Sequence, residues 1–274
     1  MENYFLPMPL SSWRSTRNVL QDFARVVGAV REFMTPRQRH WYHISLRVSS
    51  AGLVTPPIPC VDGSTFDLTL DLTAHTLAIC TSKGARVNFD LQDLSADIFI
   101  KELLQQLAVL DIYPVIDSAA VSGGSQMKYH SESVRPFWNN LVQIHTALSE
   151  FKGQLHGATS PVQLWPHHFD LALLWFSGRQ VSGADPSNEE EADEQMNFGF
   201  STGDEGISDP YFYITAYPFP EGLDKTTLPR GAKWNPSWKG AVLMLDEAVS
   251  SKDPKALLME FWRSLHHAGS LLMK

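Results

Sequence analysis

Apolar residues recur at steps of three and four through residues 13–34, where Leu20, Phe23, Val27, Val30 and Met34 form one stripe. That spacing predicts an amphipathic helix. Ser11 or Ser12 is positioned to cap it, and Pro36 lies just past its end. The period then changes to two. Ile44, Leu46 and Val48 share one face of a predicted strand over His43–Val48, and Phe66, Leu68, Leu70 and Leu72 alternate with Asp67, Thr69 and Asp71. The second run has the alternation of a half-buried strand. His75–Thr81 follows after a short turn and predicts a hairpin, and Val87, Phe89 and Leu91 add a further strand after Lys83-Gly84. Residues 96–110 return to helical spacing behind Ser95, a residue suited to a helix start.

Asp117–Gln126 is rich in Ser, Ala and Gly and has no periodicity, so it reads as a linker. Beyond it the order recurs. Residues 135–153 carry Phe137, Leu141, Ile144, Leu148 and Phe151 on one helical stripe. Val162–Phe176, Gln195–Ser201, Tyr211–Tyr217 and Ala241–Leu245 read as strands. Asp253-Pro254 opens a last helix to residue 272, with proline at its first position.

The predicted fold class is therefore α+β: two similar halves, 13–116 and 127–274, each with antiparallel strands flanked by helices, packed as one unit over 1–274. Both halves follow their first helix with a strand bearing one tryptophan and two histidines. These are His40-Trp41-Tyr42-His43 and Trp165-Pro166-His167-His168, and they suggest an internal duplication at the level of pattern.

Charge and composition narrow the functional classes. The chain has 22 basic and 30 acidic residues, a formal charge of -8. Nucleic-acid surfaces need clustered Lys and Arg, so no nucleic-acid partner is expected. No run approaches the roughly 18 apolar residues of a membrane span, and the N-terminus lacks a signal-peptide pattern. Two cysteines, Cys60 and Cys80, in 274 residues read as reduced thiols. A cytoplasmic location is the expectation. Residues 182–194 end in five acids within six positions and read as a solvated loop. Residues 220–238 read as a second long loop, whose Trp234 and Trp238 are expected to pack over something.

Three blocks, HWYHISLRVSSAGLVTPPIP, PVQLWPHHFDLALLWFSGR and NFGFSTGD followed by PYFYITAYPFPEG, resemble successive blocks of an uncharacterised bacterial family, a domain of unknown function. The resemblance runs from about Trp13 to about Leu272. It implies a bacterial, cytoplasmic protein built as one unit, and it brings no reaction, cofactor or catalytic residue. Family members vary at the positions of His167 and His168.

Chemistry-bearing residues concentrate in the same blocks. Residues two apart on a strand share a face, so a strand through Val162–Phe176 sets His168 beside Asp170. A carboxylate beside imidazole fixes its tautomer and raises its basicity, which makes this a candidate acid–base pair. Tyr211 and Tyr213 share a face by the same rule, with Phe212 turned to the core. The candidate ligand-binding set is His40, Trp41, His43, Arg135, Trp165, Phe200, Tyr211 and Tyr213, lining an aromatic cleft for a small organic molecule. No cofactor is implied. No HExxH or paired CxxC occurs, and no metal ligand is assigned. Two alternatives stay open: a non-catalytic interaction protein, and a metal-dependent hydrolase or oxygenase using His168, His40 or His43 with a carboxylate. Phe176-Ser177-Gly178 lacks the nucleophile-elbow pattern. Gly199–Gly206 lacks the lysine of a phosphate loop and reads as a tight turn.

Overall fold

The computed structural model describes residues 4–121 and 127–273, and the fold is α+β with two antiparallel sheets. The residues group into two compact units, and the chain passes between them at Leu10, Trp138, Gln163 and Phe169. Among the described residues, no helix is long and apolar enough to cross a membrane.

One unit comprises Ser11–Trp138 and Leu164–Phe169. Its helix α1 (Arg14–Met34) buries Val19, Leu20, Phe23, Val26, Val27 and Val30, the stripe seen in the sequence. The expected serine cap is absent. Ser11 and Ser12 lie in a 3-10 turn, and Trp13 takes the cap position with its ring stacked on Phe137 at 5.0 Å. The sheet runs β1 (Arg47–Val48), β2 (Gly52–Val54), β4 (Thr65–Asp71), β5 (Thr76–Thr81) and β6 (Arg86–Asp90), with β3 (Ile58–Pro59) paired to β4. Phe66, Leu68 and Leu70 point inward, as the alternation requires. Helix α2 (Ala96–Val109) lays Phe99 on Phe23 with ring centroids 4.2 Å apart. Ser95 stands at its start but makes no side-chain capping bond. In the expected linker, residues 118–121 form the short helix α3 (Ser118–Val121), while 122–126 lie outside the described residues.

The strand expected over His43–Val48 shrinks to Arg47–Val48. The backbone before Leu46 is bonded elsewhere. Arg31, 2% exposed on α1, donates from Nη1 to the carbonyls of Tyr42 at 2.6 Å and Ser45 at 2.5 Å. The Ser45 hydroxyl also donates to Tyr42 O at 3.0 Å. With the Ser45 carbonyl taken by Arg31, backbone pairing begins only at Leu46, which exchanges both its bonds with Leu164.

The other unit comprises the described residues up to Leu10, Asn139–Gln163 and those from Asp170 onward. Helix α4 (Arg135–Lys152) and strand β8 (Gln163–Trp165) each begin in one unit and end in the other. The remaining elements are β7 (Ala158–Thr159), β9 (Asp170–Gln180), α5 (Glu189–Ala192), β10 (Asp193–Ser201), β11 (Tyr211–Tyr217), β12 (Lys233–Asn235), β13 (Gly240–Met244), α6 (Leu245–Val249) and α7 (Pro254–Leu272). Strand order is β12-β13-β11-β10-β9-β7. Asp253 caps α7, accepting from Ala256 N at 2.9 Å.

Leu171, Leu173, Trp175, Met196, Phe198, Phe212, Ile214 and Leu243 point to one side of this sheet. That side meets α7 and the later part of α4: Phe151 lies 5.0 Å from Phe198 and 5.6 Å from Trp262. Gly269 allows the close approach, since a Cβ there would meet Met196 Sδ at 2.5 Å.

Two expectations change in this unit. The run Val162–Phe176 is not one strand, because a turn at 166–169 with Phe169 at φ 55 separates β8 from β9. The acidic stretch is not a plain loop either. Glu189–Ala192 forms α5, and Glu194 on β10 accepts from Ser177 Oγ and, at 2.8 Å, from Arg179 Nη2.

Candidate functional site

The register of β9, β10 and β11 sets the geometry. Gly199 lies opposite Ala172 on one side and Tyr213 on the other, and Asn197 lies opposite Leu174 and Thr215. Directly opposed residues share a face. Asp170, Asn197, Gly199, Ser201, Tyr211 and Tyr213 therefore occupy the side of the sheet away from α4 and α7.

Tyr213 lies flat across β10 at Gly199. A Cβ on Gly199 would sit 2.2 Å from Tyr213 Cζ and 2.4 Å from its hydroxyl, so only glycine admits the ring there. The reach ends in a hydrogen bond that Tyr213 donates to Asp170 Oδ2. Asn197 Nδ2 donates to the same phenol oxygen at 3.4 Å. Asn197, Tyr213 and Asp170 thus form a row pointing from the amide to the carboxylate. Burial, and then the neighbouring Asp170 charge, holds the Tyr213 phenol well above its usual range. It acts as a donor rather than a phenolate base. Asn197 Oδ1 is buried and has no hydrogen-bond partner among the described residues.

Tyr211 makes a second phenol–carboxylate pair, donating to Asp204 Oδ2 at 2.5 Å. Burial and Asp204 raise its pKa as well. Asp204 is itself fixed by a turn, accepting from Gly206 N at 2.7 Å and Ile207 N at 2.8 Å. Of the segment read as a tight turn, Gly199–Ser201 belong to β10 and only the part around Asp204 turns, with its acid serving Tyr211. Sequence reasoning placed no functional weight on Asp204, because its partner lies on the next strand.

The remaining site residues fall elsewhere. His168 is exposed in the 166–169 turn, and β9 begins only at Asp170, so the strand alternation that suggested their pairing does not reach His168. Phe200 is 1% exposed on the helix-covered side, 5.2 Å from Phe212, and serves as core. Arg135 is exposed at the first residue of α4.

His40, Trp41, His43 and Trp165 come together in the other unit. The Leu46–Leu164 bridge joins their two segments, and Tyr42 lies 6.3 Å from Trp165 and 5.9 Å from His40. Trp41 stacks on His43 at 5.5 Å, with the Arg37 guanidinium 5.4 Å from the Trp41 ring centre. His40 and Trp41 both have left-handed backbone, φ 50 and 57. Two such residues in succession are uncommon outside glycine and mark stored strain. His43 Nδ1 accepts from Gln38 N at 3.3 Å, and burial lowers its pKa. The 166–169 turn is held to α1, where Gln21 Nε2 donates to His167 O at 2.8 Å.

Among the described residues, no group of three or more His, Cys, Asp and Glu side chains is placed to hold a metal ion. Cys60 and Cys80 are free thiols.

The fold and these clusters define an α+β protein with two antiparallel sheets. The chain belongs to DUF5996, a family of unknown function, whose profile matches residues 5–274. No curated protein and no solved structure shows a significant match to it.

Proposed function

We propose that this protein binds a small organic molecule at the Asn197–Tyr213–Asp170 row of the sheet that contains β9, β10 and β11. The observation that carries the reading is Asn197 Oδ1, a buried acceptor with no partner among the described residues, beside an ordered phenol–carboxylate pair. A buried unsatisfied acceptor costs about 1–3 kcal/mol, and such groups in folded proteins call for an explanation. A ligand N–H or O–H would supply the missing bond. Tyr213 and Asp170 would fix its orientation, as a few placed polar groups do in small-molecule sites. Asp170 is then the group able to accept a proton from a bound ligand, with Tyr213 as its positioning partner.

The test is a fragment screen by saturation-transfer NMR on wild type, Asn197→Leu and Tyr213→Phe. Fragments that carry a donor are expected to bind wild type and to lose about tenfold or more affinity to Asn197→Leu. That variant removes the orphaned Oδ1 together with the long Nδ2 bond to Tyr213, so its stability should stay close to that of wild type. Hits that bind all three proteins equally would show that the row is not the site.

A second reading, a surface for a protein partner, has one specific support. Val109, Tyr113 and Val115, at and after the end of α2, are 70%, 67% and 71% exposed. Exposed apolar groups of this kind mark interaction sites when they form a contiguous patch. Static light scattering decides it for self-association: a concentration-independent monomer mass removes that form of the reading.

A further inference from the structure

We propose that the cleft between the 219–224 segment and the β12–β13 hairpin is a seat for an organic cation, an alkylammonium group. The cleft encloses about 540 Å³, a size suited to a small molecule, and Phe219, Glu221, Asp224, Trp234 and Lys239 are among its lining residues.

The two rings form a corner. Phe219 and Trp234 have centroids 6.3 Å apart and planes at 86°. Trp234 is held in place by its indole N–H, which donates to Thr226 O at 3.4 Å. Aromatic faces carry negative charge density and attract cations within about 6 Å of the ring centre. The chain itself already uses this property, since Lys239 Nζ lies 5.8 Å from the Phe219 centroid. Lys239 belongs to the exposed hairpin turn and has left-handed backbone, φ 52. Its side chain can leave the ring without disturbing the sheet.

The charges have the same sense. Glu221 and Asp224 bring two carboxylates to the cleft against the single lysine. An anionic ligand would meet both acids. A neutral ligand would gain only apolar contact. A cation gains the rings and the carboxylates together and displaces Lys239 toward solvent. This site is separate from the Asn197–Tyr213–Asp170 row: Trp234 pairs with Ala241, which lies on the helix side of the sheet.

Choline and its uncharged isostere 3,3-dimethylbutan-1-ol test the inference, titrated at constant ionic strength into the full chain. The indole N–H signal of Trp234 is the reporter. Choline is expected to give a saturable shift, with the alcohol binding at least about fivefold more weakly. Lys239→Met removes the internal occupant and is expected to tighten choline binding about three- to tenfold, the scale of one cation–π contact. As Lys239 is exposed, this variant does not put folding at risk. Phe219→Leu should abolish the preference for choline over the alcohol. Equal binding of the two compounds, no saturable shift with choline, or unchanged choline affinity in Lys239→Met would each overturn the inference.

Discussion

Tyr213 donates its hydroxyl to Asp170 across an intervening strand, and Gly199 is the gap that lets it pass. Strands two places apart in a sheet are about 10 Å apart. A tyrosine spans that distance only by lying flat on the strand between. The polar row therefore depends on a residue that makes no polar side-chain contact of its own.

Gly199→Ala should break the row. Its methyl carbon would sit 2.2 Å from Tyr213 Cζ, forcing the ring off Asp170. Overpacking of this kind costs about 1–3 kcal/mol, and a buried carboxylate that loses its donor adds more. Urea unfolding should show a loss of about 3 kcal/mol. In a Tyr213→Ala background the same substitution should cost less than about 1 kcal/mol, because the clashing ring is gone.

Asp22 gives the fold a pH-dependent weakness. It is 8% exposed on α1, and burial raises its pKa to about 6 against the partial help of Arg25. A carboxyl whose folded pKa exceeds its unfolded value binds more protons in the folded state, so its contribution is full below about pH 4 and is lost as pH rises through 6. Two pKa units correspond to about 3 kcal/mol. Asp22→Asn should stabilise the protein by about 1–3 kcal/mol at pH 8 and hardly at all at pH 4, measured by chemical denaturation at both values.

Arg31 holds the loop that carries His40 and Trp41. Its guanidinium reaches two carbonyls, Tyr42 and Ser45, from a nearly sealed position, and burial lowers its pKa to about 10. Lysine would bring a compact, strongly hydrated ammonium that costs more to bury than a guanidinium. Arg31→Lys should cost about 2 kcal/mol, with a change in near-ultraviolet circular dichroism as the Trp41–His43 stack loosens.

His266 makes stability fall toward acid. Its ring meets Trp175 edge-on at 4.8 Å, its Nε2 is buried without a hydrogen-bond partner among the described residues, and burial pushes its pKa down. A base with a depressed folded pKa contributes stability above its unfolded value, about 6.5, and loses it as pH falls below that. His266→Phe should flatten thermal stability between pH 7 and 5. It should also gain about 1 kcal/mol at neutral pH by removing an orphaned nitrogen.

The long periodic segments were legible because their signal is local. Helix α1, strand β4, strand β11 and helix α7 stand within a residue or so of the sequence reading. The local pattern gives way where a group from another element or a left-handed residue intervenes. Arg31 holds the Ser45 carbonyl of a segment that alternates like a strand, and a left-handed Phe169 divides an apolar run that otherwise reads as continuous. The same turn takes His168 off the strand that carries Asp170, so the two do not share a strand face. His266 and His267 are adjacent in sequence, yet one packs against Trp175 and the other is exposed.

What the chain determined unaided is which side chains share a face, because a period of two or of 3.6 is a property of neighbouring residues. That was enough to put Tyr211 and Tyr213 together, with Phe212 opposite. Which strand lies beside which is a matter of pairing between residues far apart in sequence, and no local period encodes it. Tertiary structure alone placed Gly199 between Tyr213 and Asp170, brought Asp204 to Tyr211, and set the Phe219 ring against Trp234.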